Sequence, residues 1–332
     1  MTDWLLPALA GFGTGILSAW GVGGGTLLLL CMTLLLTGAA VAEGEFPELN
    51  EAGFFDGGEF VYTDPENGVW RYCSDTLKIE IYRRTQDSPK EIWYEAEVWS
   101  TEDNAFAMIP WNEDPDKRMS DLNYPYKIAR ANQTVLAINS DFAHLRISQN
   151  SRQGILLRDG EILSEKTFGH NKGTFPNLDN LALYADGNME VYYSDEKTAQ
   201  EYQEMGAVDV LAFGPVLVRD GQLNTEALEK CGTSHAPRTA IGMVEKGHYF
   251  AMMLEGRHDG SNGAGISFLA EKMLEKGCQL AFNLDGGQSA TMVFMGDQIC
   301  KIGGTTGVNA SARKAAEILG IGVSALVTPL ED

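Results

Sequence analysis

Short apolar runs joined by two-residue turns are the feature of this sequence that most restricts its fold. An Asp-Gly pair separates two apolar runs at residues 159–160 and 186–187, and a third pair follows an apolar run at residues 220–221. Both residues of such a tight turn adopt positive φ, so the pair is a strong signal of a β-hairpin. Lys-Gly at residues 246–247 and Gly-Asp at residues 296–297 indicate two further hairpins. The sequence therefore predicts a fold that is rich in strands.

Helical patterns are fewer. Residues 266–276 place their apolar side chains on one face and are followed by Gly277, as in an amphipathic helix that ends at a glycine. A shorter helix is predicted over residues 198–205 and a third over residues 312–319. We predict an α/β or α+β domain over residues 69–332, with a strand-rich mixed sheet and a few packed helices.

The first 42 residues form a separate apolar segment. No charged residue or histidine lies between Trp4 and Ala42, and the whole stretch is long enough to cross a bilayer. Residues 40–42, Ala-Val-Ala, have the small-x-small form that signal peptidase accepts. We predict a membrane anchor or an export signal over residues 1–42 and an acidic linker over residues 43–68. The domain that follows would then be extracytoplasmic, either membrane-anchored or secreted.

The charge of the chain limits its partners. It carries 46 Asp and Glu against 25 Lys and Arg, a net charge of −21. Such a surface repels nucleic acid at long range, so we expect no nucleic-acid partner and contact with a membrane only through the N-terminal segment. After the apolar segment the chain has four cysteines, which form either two disulfides or isolated thiols: Cys73, Cys231, Cys278 and Cys300. No pair of them has the spacing of a metal site.

Polar residues follow or begin apolar strands in four segments of the chain. The most specific is residues 281–294, in which a buried strand, a polar turn over residues 283–289 and a second strand follow one another. Because functional sites collect at strand ends and loops, we expect the four segments to converge on one site. The candidates are Asn139 and Asp141 in the first segment, Arg238 and Thr239 in the second, Glu255 and Arg257 in the third, and Asn283, Asp285, Gly286, Gly287 and Ser289 in the fourth.

The residue types of these candidates are complementary. The carboxylates of Asp141, Glu255 and Asp285 are suited to acid, base or nucleophile roles, as glycosyl transfer requires. Arg238 and Arg257 are each able to bind a phosphate through two parallel hydrogen bonds. Two adjacent glycines let a ligand approach the main chain closely. His258, beside Arg257, and His144, near Asp141, are the two histidines that we consider for a role.

A purely structural interpretation stands beside each of these assignments. The arginines form ion pairs with carboxylates of the same site, and the amides of Asn139 and Asn283, which we also predict to orient sugar hydroxyls, cap turns instead. The hydroxyls of Thr239 and Ser289 bond to the backbone at the ends of strands. The turn at residues 283–289 is then an ordinary hairpin corner.

The motifs in this order resemble the phosphodiester glycosidase family. The matching pieces are Asn139-Ser140-Asp141-Phe142, Phe213-Gly214-Pro215-Val216-Leu217, Pro237-Arg238-Thr239-Ala240-Ile241-Gly242, Glu255-Gly256-Arg257 and residues 283–289, Asn-Leu-Asp-Gly-Gly-Gln-Ser. The resemblance covers residues 130–327. It departs from the family at Ser140, where Gly is usual, at Glu255, where Asp is usual, and at Gln288, where Gly is frequent.

The resemblance implies a cleft that hydrolyses the glycosidic bond of a sugar-1-phosphodiester and releases a free sugar and a phosphomonoester. In this hypothesis Asp285 acts at C1 as base or nucleophile, Glu255 or Asp141 supplies the second carboxylate, and the two arginines hold the phosphate. The substrate is then a sugar phosphate, similar to a GlcNAc-1-phosphodiester, on a cell-envelope or secreted glycan such as an exopolysaccharide. The alternative is a non-catalytic envelope module that binds anionic glycans. No cofactor is certain, and Ca²⁺ is the divalent cation that these oxygen ligands suit.

Overall fold

The computed structural model describes residues 44–101, 104–141, 154–167, 178–231, 234–303 and 313–330. The predicted anchor or export signal over residues 1–42 lies outside these ranges, and no helix within them is long and apolar enough to span a membrane. The chain divides into two compact units, Met1–Pro47 and Glu48–Asp332. All of the strands and helices described below belong to the second unit.

Strands dominate the described part of the chain, with helices few and short. In chain order the strands are β1 Phe60–Asp64, β2 Val69–Cys73, β3 Leu77–Asp87, β4 Lys90–Ser100, β5 Ala107–Pro110, β6 Thr134–Asn139, β7 Gly154–Arg158, β8 Glu161–Lys166, β9 Asp179–Tyr184, β10 Met189–Tyr192, β11 Ala207–Phe213, β12 Val216–Arg219, β13 Gln222–Leu223, β14 Arg238–Glu245, β15 His248–Leu254, β16 Leu280–Asn283, β17 Met292–Phe294, β18 Asp297–Gln298 and β19 Glu317–Val323. The helices are α1 Pro125–Ala131, α2 Ala199–Glu204, α3 Thr225–Lys230 and α4 Ile266–Glu275, with a 3-10 turn at Gly287–Ser289.

The described strands form three sheets. The first has nine strands in the order β1-β2-β3-β4-β15-β14-β16-β12-β13. The second has five in the order β10-β9-β11-β7-β8, and the third has five in the order β18-β17-β6-β19-β5. β1 lies within residues 43–68, the segment predicted as a linker, and pairs along its whole length with β2.

The expectation of a mixed sheet is wrong for the described strands, because every neighbouring pair is antiparallel. The connection from β15 through α4 to β16 does join two strands that run in the same direction. However, β14 lies between them and is antiparallel to both. Of the two predicted fold classes, the α+β class fits this arrangement.

The predicted hairpins are confirmed. Asp159-Gly160 joins β7 to β8 and Asp220-Gly221 joins β12 to β13, with positive φ at both residues of each turn. The pairs at residues 186–187 and 246–247 lie between β9 and β10 and between β14 and β15. In the fifth hairpin the two turn residues are Met295 and Gly296, one position earlier than the sequence suggests.

Two of the three predicted helices are confirmed, and the third is wrong. Thr198 starts α2 with a capping box, in which its side chain and that of Glu201 each bond to the other residue's backbone N–H. Residues 317–319, predicted as helix, belong instead to β19, which lies between β5 and β6. Burial on the sheet overrides the local alanine-rich pattern, because the five residues from Glu317 to Ile321 are buried.

The four cysteines after the apolar segment are isolated thiols. All are free: Cys73, Cys231, Cys278 and Cys300. Burial raises the pKa of Cys73 to about 11 and those of Cys278 and Cys300 to about 12. At neutral pH these three side chains therefore pack as small apolar groups. The prediction of isolated thiols is confirmed, and that of two disulfides is wrong.

Candidate active site

The predicted segments come together at the ends of three inner strands of the nine-stranded sheet, and this region is called the site edge. Because β14 is antiparallel to both β15 and β16, its first residues lie beside the last residues of the other two strands. Arg238 pairs with Leu254, and Ala240 pairs with Asn283. Arg238, Glu255 and Asp285 therefore emerge at the site edge, as the sequence predicts for functional residues at strand ends.

Asn139 joins the third sheet to the site edge. Its Oδ1 accepts hydrogen bonds from Thr239 Oγ1 at 2.7 Å and from the Thr291 N–H at 3.1 Å. Its Nδ2 donates to the carbonyls of Asp285 at 2.7 Å and Ser140 at 3.1 Å. These four bonds use the full capacity of the amide, which is 3% exposed. Asn139 and Thr239 therefore position the Asp285 loop.

Asp285 is buried and held at both carboxylate oxygens. Its Oδ1 accepts the Gly286 N–H at 2.9 Å, and its Oδ2 accepts the Ser289 hydroxyl at 2.8 Å. Burial raises the pKa of this carboxyl above its usual value of 3.8, while the Ser289 hydrogen bond, the charge of Arg313 and the Gly286 N–H act in the opposite direction. A buried carboxylate with a raised pKa is a stronger proton acceptor than one in water, which is typical of catalytic groups.

Arg313 is a site residue that sequence reasoning missed. Its Nη1 donates to Ser289 Oγ at 3.1 Å and lies 3.6 Å from Asp285 Oδ2. Its backbone N–H donates to the Gln288 carbonyl at 3.1 Å. Because the sequence pattern predicts a helix over residues 312–319, it gives no indication that this arginine contacts the turn at residues 283–289. The residues next to Arg313 in the sequence do not indicate that its side chain contacts Ser289 and Asp285.

Arg238 and Arg257 lie next to each other on the other side of the site. Arg238 is 6% exposed, and its Nε and Nη2 donate to the carbonyls of Ala264 and Ser234. Burial lowers its pKa, and the neighbouring Arg257 charge acts in the same direction. Within the described ranges, no carboxylate pairs with either guanidinium. The predicted alternative, a structural ion pair with Glu255 or Asp285, therefore has no support.

Arg257 reaches the Asp285 loop from the end of β15. It is exposed, and its Nη1 would lie 3.3 Å from a Cβ at Gly287. Its backbone φ is +59°, a left-handed conformation that a residue with a side chain adopts at an energetic cost. The fold therefore holds this guanidinium over Gly287 through a strained backbone.

Glu255 is buried, and hydrogen bonds hold both of its carboxylate oxygens. Its Oε1 accepts the Tyr94 hydroxyl at 3.0 Å and the Lys301 N–H at 2.7 Å, and its Oε2 contacts His258 Nε2 at 3.0 Å. The Gly260 N–H donates to His258 Nδ1, so Nε2 carries the ring proton and donates to Glu255. Both nitrogens of His258 are thus occupied. His144, the other candidate histidine, lies outside the described residues.

Asp141 belongs to a buried ion cluster behind the site. Its Oδ2 accepts the Ala212 N–H at 2.9 Å and lies 3.6 Å from Arg158 Nη2. Arg158 in turn forms a bidentate pair with Glu317, and both are 2% exposed. The cluster joins β7, β11 and β19, and the charge of Asp141 also raises the pKa of Asp285. Asp141 is therefore close enough to influence Asp285 electrostatically.

Asn283 holds the turn that follows β11. Its Nδ2 donates to the Gly214 carbonyl at 2.8 Å, and its backbone N–H donates to the Pro215 carbonyl at 3.2 Å. Its Oδ1 is buried and has no hydrogen-bond partner among the residues that the structure describes. Asn283 thus fixes the Phe213-Gly214-Pro215 turn, which belongs to the second of the motifs that resemble the family.

The glycines of the site allow backbones to pack closely. A Cβ at Gly286 would lie 2.7 Å from the Pro237 carbonyl oxygen, and the Gly287 N–H donates to that same carbonyl at 3.0 Å. A Cβ at Gly256 would lie 2.8 Å from Gly263 Cα, and one at Gly303 would lie 2.0 Å from the Gly256 carbonyl oxygen. Gly286 therefore seats the Asp285 loop directly on the start of β14.

No group of three or more His, Cys, Asp or Glu side chains within the described ranges is arranged to hold a metal ion. Two of the carboxylates predicted to suit Ca²⁺, Asp285 and Glu255, accept hydrogen bonds from the protein on both oxygens.

Comparisons with known proteins show which sequences and folds this chain is similar to. Over 177 residues the chain is 27% identical to the SPbeta prophage-derived uncharacterized protein YomE of Bacillus subtilis (strain 168), covering 53% of this chain and 26% of that protein. The chain thus spans about a quarter of the length of this relative. The zebrafish N-acetylglucosamine-1-phosphodiester alpha-N-acetylglucosaminidase catalytic domain, auto-inhibited by its pro-peptide, superposes with a TM-score of 0.56 at 18% identity, covering 75% of this chain and 84% of that one.

A hypothetical protein from Synechocystis superposes with a TM-score of 0.50 at 12% identity, covering 76% of this chain and 63% of that one. At these identities the two structures establish likeness of fold alone. The sequence model of the phosphodiester glycosidase family matches residues 132–322, more than half of the chain, and that range contains every predicted site residue. The chain therefore belongs to the phosphodiester glycosidase family.

Proposed function

We propose that this chain hydrolyses the glycosidic bond of a sugar-1-phosphodiester and releases a free sugar and a phosphomonoester. The substrate class is a GlcNAc-1-phosphodiester-like unit of a cell-envelope or secreted glycan. Membership of the phosphodiester glycosidase family supports the general reaction. The chemistry of the strand-end residues supports the assignment of roles.

The observation that carries the proposal is the environment of Arg238. Its buried guanidinium bonds to two backbone carbonyls, and no described carboxylate neutralises it. A buried charge without a counterion is costly unless a ligand supplies the opposite charge. Arg257, held nearby by a strained backbone, adds a second guanidinium. In a chain with a net charge of −21, two adjacent arginines that no described carboxylate neutralises favour an anionic ligand of phosphate type.

These positions support the following reaction. Water attacks C1 of the sugar, and the bond between C1 and the phosphate oxygen breaks with its electron pair passing to that oxygen. Arg238 and Arg257 stabilise the charge that grows on the departing phosphate, which needs little help from a general acid. Asp285 takes the proton from the attacking water, and its raised pKa suits it to that role.

Glu255 and Asp141 have supporting parts in this scheme. Three described donors engage Glu255, so it acts as a fixed negative charge near the sugar, where positive charge develops in the transition state. Asp141 acts from behind through its electrostatic coupling to Asp285. The two are therefore assigned to electrostatic stabilisation rather than to attack on C1.

Kinetics of the Asp285→Asn variant test the proposal. With a synthetic GlcNAc-1-phosphodiester as substrate, loss of the base is expected to lower kcat by a factor of about 10² to 10⁴. Asp220→Asn is the matched control, because Asp220 lies in the β12–β13 turn at a φ of +53° that asparagine also adopts readily. Turnover by Asp285→Asn within threefold of the control would contradict the assigned role.

A ligand that binds tightly without ever being turned over would instead support the alternative, a non-catalytic module for anionic glycans. Titration calorimetry with the same phosphodiester, with and without added Ca²⁺, distinguishes the two. A catalytic site gives free sugar over time in the calorimeter cell. A binding module gives a stable complex, and a need for Ca²⁺ would assign the cation to it.

We further propose that the domain works outside the cytoplasmic membrane. The apolar segment over residues 1–42 and its Ala-Val-Ala sequence support this location. A reporter that is active only after export, fused after residue 332, tests it. Activity that depends on residues 1–42 is expected, and equal activity without them would contradict the proposal.

A further inference from the structure

Two side chains approach the same oxygen of the Asp285 carboxylate. Ser289 Oγ donates to Oδ2 at 2.8 Å, and Arg313 Nη1 lies 3.6 Å from Oδ2. Arg313 Nη1 also donates to Ser289 Oγ at 3.1 Å, so the three groups form a closed triangle. Since the Ser289 hydroxyl accepts from arginine, its own proton is directed at the carboxylate.

The backbone fixes this triangle as firmly as the side chains do. The Arg313 N–H donates to the Gln288 carbonyl, and the Ser289 N–H donates to the Gly286 carbonyl. The 3-10 turn at Gly287–Ser289 thus places Ser289 at a set distance from Asp285. Ser289, Arg313 and Asp141 line a narrow crevice. In the same turn, Arg257 Nη1 would lie 3.3 Å from a Cβ at Gly287.

We propose that Ser289 and Arg313 are positioning residues that fix Oδ2 of Asp285 and keep its carboxylate ionised, which leaves Oδ1 as the oxygen that works on the substrate. The inference rests on the proposed function of Asp285 and deepens it. Ser289, predicted from sequence as a substrate ligand, acts here through Asp285 rather than on the sugar. Arg313 does the same, since its bonding directs it to the loop.

The charged groups that face Asp285 divide into two kinds. Arg313 favours the ionised form, and so do the hydrogen bonds from Ser289 and the Gly286 N–H. Burial and the negative charge of Asp141 favour the protonated form. Removing either member of the Ser289–Arg313 pair therefore moves the titration of Asp285 to higher pH.

Carbon-13 NMR of protein labelled at the aspartate side-chain carboxyl carbons measures this directly, and Asp285→Asn identifies the Asp285 signal by its loss. In Arg313→Gln and in Ser289→Ala the Asp285 midpoint is expected to rise by about one pH unit. Arg313→Lys retains the charge and is expected to give a smaller rise. Arg130→Gln is the matched control, because Arg130 contacts Gly296 and Asp297 instead. Its Asp285 midpoint should equal that of the wild type.

An Asp285 midpoint that stays within 0.2 pH unit of the wild type in folded Ser289→Ala or in folded Arg313→Gln would overturn the inference. If Arg313→Gln does not fold, Ser289→Ala decides. The pH profile of kcat/KM gives a second readout, since its Asp285-dependent limb should shift in the same direction and by the same amount. The NMR titration needs no substrate, so a shifted midpoint in a protein without turnover would refute the proposed function and leave the positioning role in place.

Discussion

Replacing Asn139 with alanine separates its predicted role as a sugar ligand from its observed role as a brace. The wild-type amide connects the end of β6 with β14, the Asp285 carbonyl and the Thr291 N–H through four hydrogen bonds. In Asn139→Ala all four partners lose this contact in a region where Asn139 itself is 3% exposed. The Thr291 N–H and the Asp285 carbonyl then lack their hydrogen bonds to residue 139 in a buried part of the site.

The size of the effect follows from the number of groups left unpaired. A buried polar group without a partner costs about 1–3 kcal/mol. Two such backbone groups, with water entering the space of the lost amide, give a loss of about 3 kcal/mol in the free energy of unfolding. The Asp285 loop also loses its anchor to β6, so kcat should fall as well, while a lost sugar contact alone would raise KM and leave stability unchanged.

Urea unfolding followed by tryptophan fluorescence measures the stability change, and initial rates measure kcat and KM. Asn67→Ala is the matched control, because Asn67 is exposed in the β1–β2 turn and forms local hydrogen bonds with Asp64. Its expected change is within about 0.5 kcal/mol. A loss below about 1 kcal/mol for Asn139→Ala, together with a raised KM, would refute the bracing role and restore the assignment as a sugar ligand.

Three further predictions concern charge. Glu317→Gln leaves the buried Arg158 guanidinium without its bidentate partner and should destabilise the protein by about 3 kcal/mol in urea, and an unchanged midpoint would show that Asp141 alone suffices. Because burial raises the pKa of Asp285 above 3.8, ionisation destabilises the native state as pH rises; Asp285→Asn should melt above the wild type at pH 7 and nearly with it at pH 4, and a lower melting temperature at pH 7 would contradict this sign. Arg257→Gly relieves the positive φ, so stability should stay within about 1 kcal/mol while kcat/KM drops about 10-fold to 100-fold; unchanged kcat/KM would remove Arg257 from the phosphate site.

Turn chemistry made much of the fold predictable. The Asp-Gly pairs set local backbone geometry, and each of them lies at a hairpin. At residues 159–160 and 220–221 both turn residues have positive φ, and at residues 186–187 the glycine does. The site edge shared by Arg238, Glu255 and Asp285 was predictable for a similar reason. Polar residues at the ends of apolar strands lie where the strands of the sheet meet their loops, and functional sites collect there.

Sheet order and side-chain partners were not predictable in this way. β14 lies between β15 and β16 and pairs antiparallel with both. This order depends on contacts between residues that are distant in sequence. For the same reason the sequence does not show that the Asn139 amide donates to the Asp285 carbonyl or that Arg313 donates to Ser289. Residue type indicated which side chains belong to the site, but only the tertiary structure distinguishes those free to meet a ligand from those that hold the loop.

Product analysis in ¹⁸O-labelled water is the measurement that tests the central claim most directly. If the chain cleaves the bond between C1 and the phosphate oxygen, as the Arg238, Arg257 and Asp285 arrangement predicts, mass spectrometry of products from a GlcNAc-1-phosphodiester quenched at once will find ¹⁸O at C1 of the free sugar. The phosphomonoester will carry none. Recovery of ¹⁸O in a phosphate group, with sugar-1-phosphate as product, would place the cleavage at phosphorus and contradict the account.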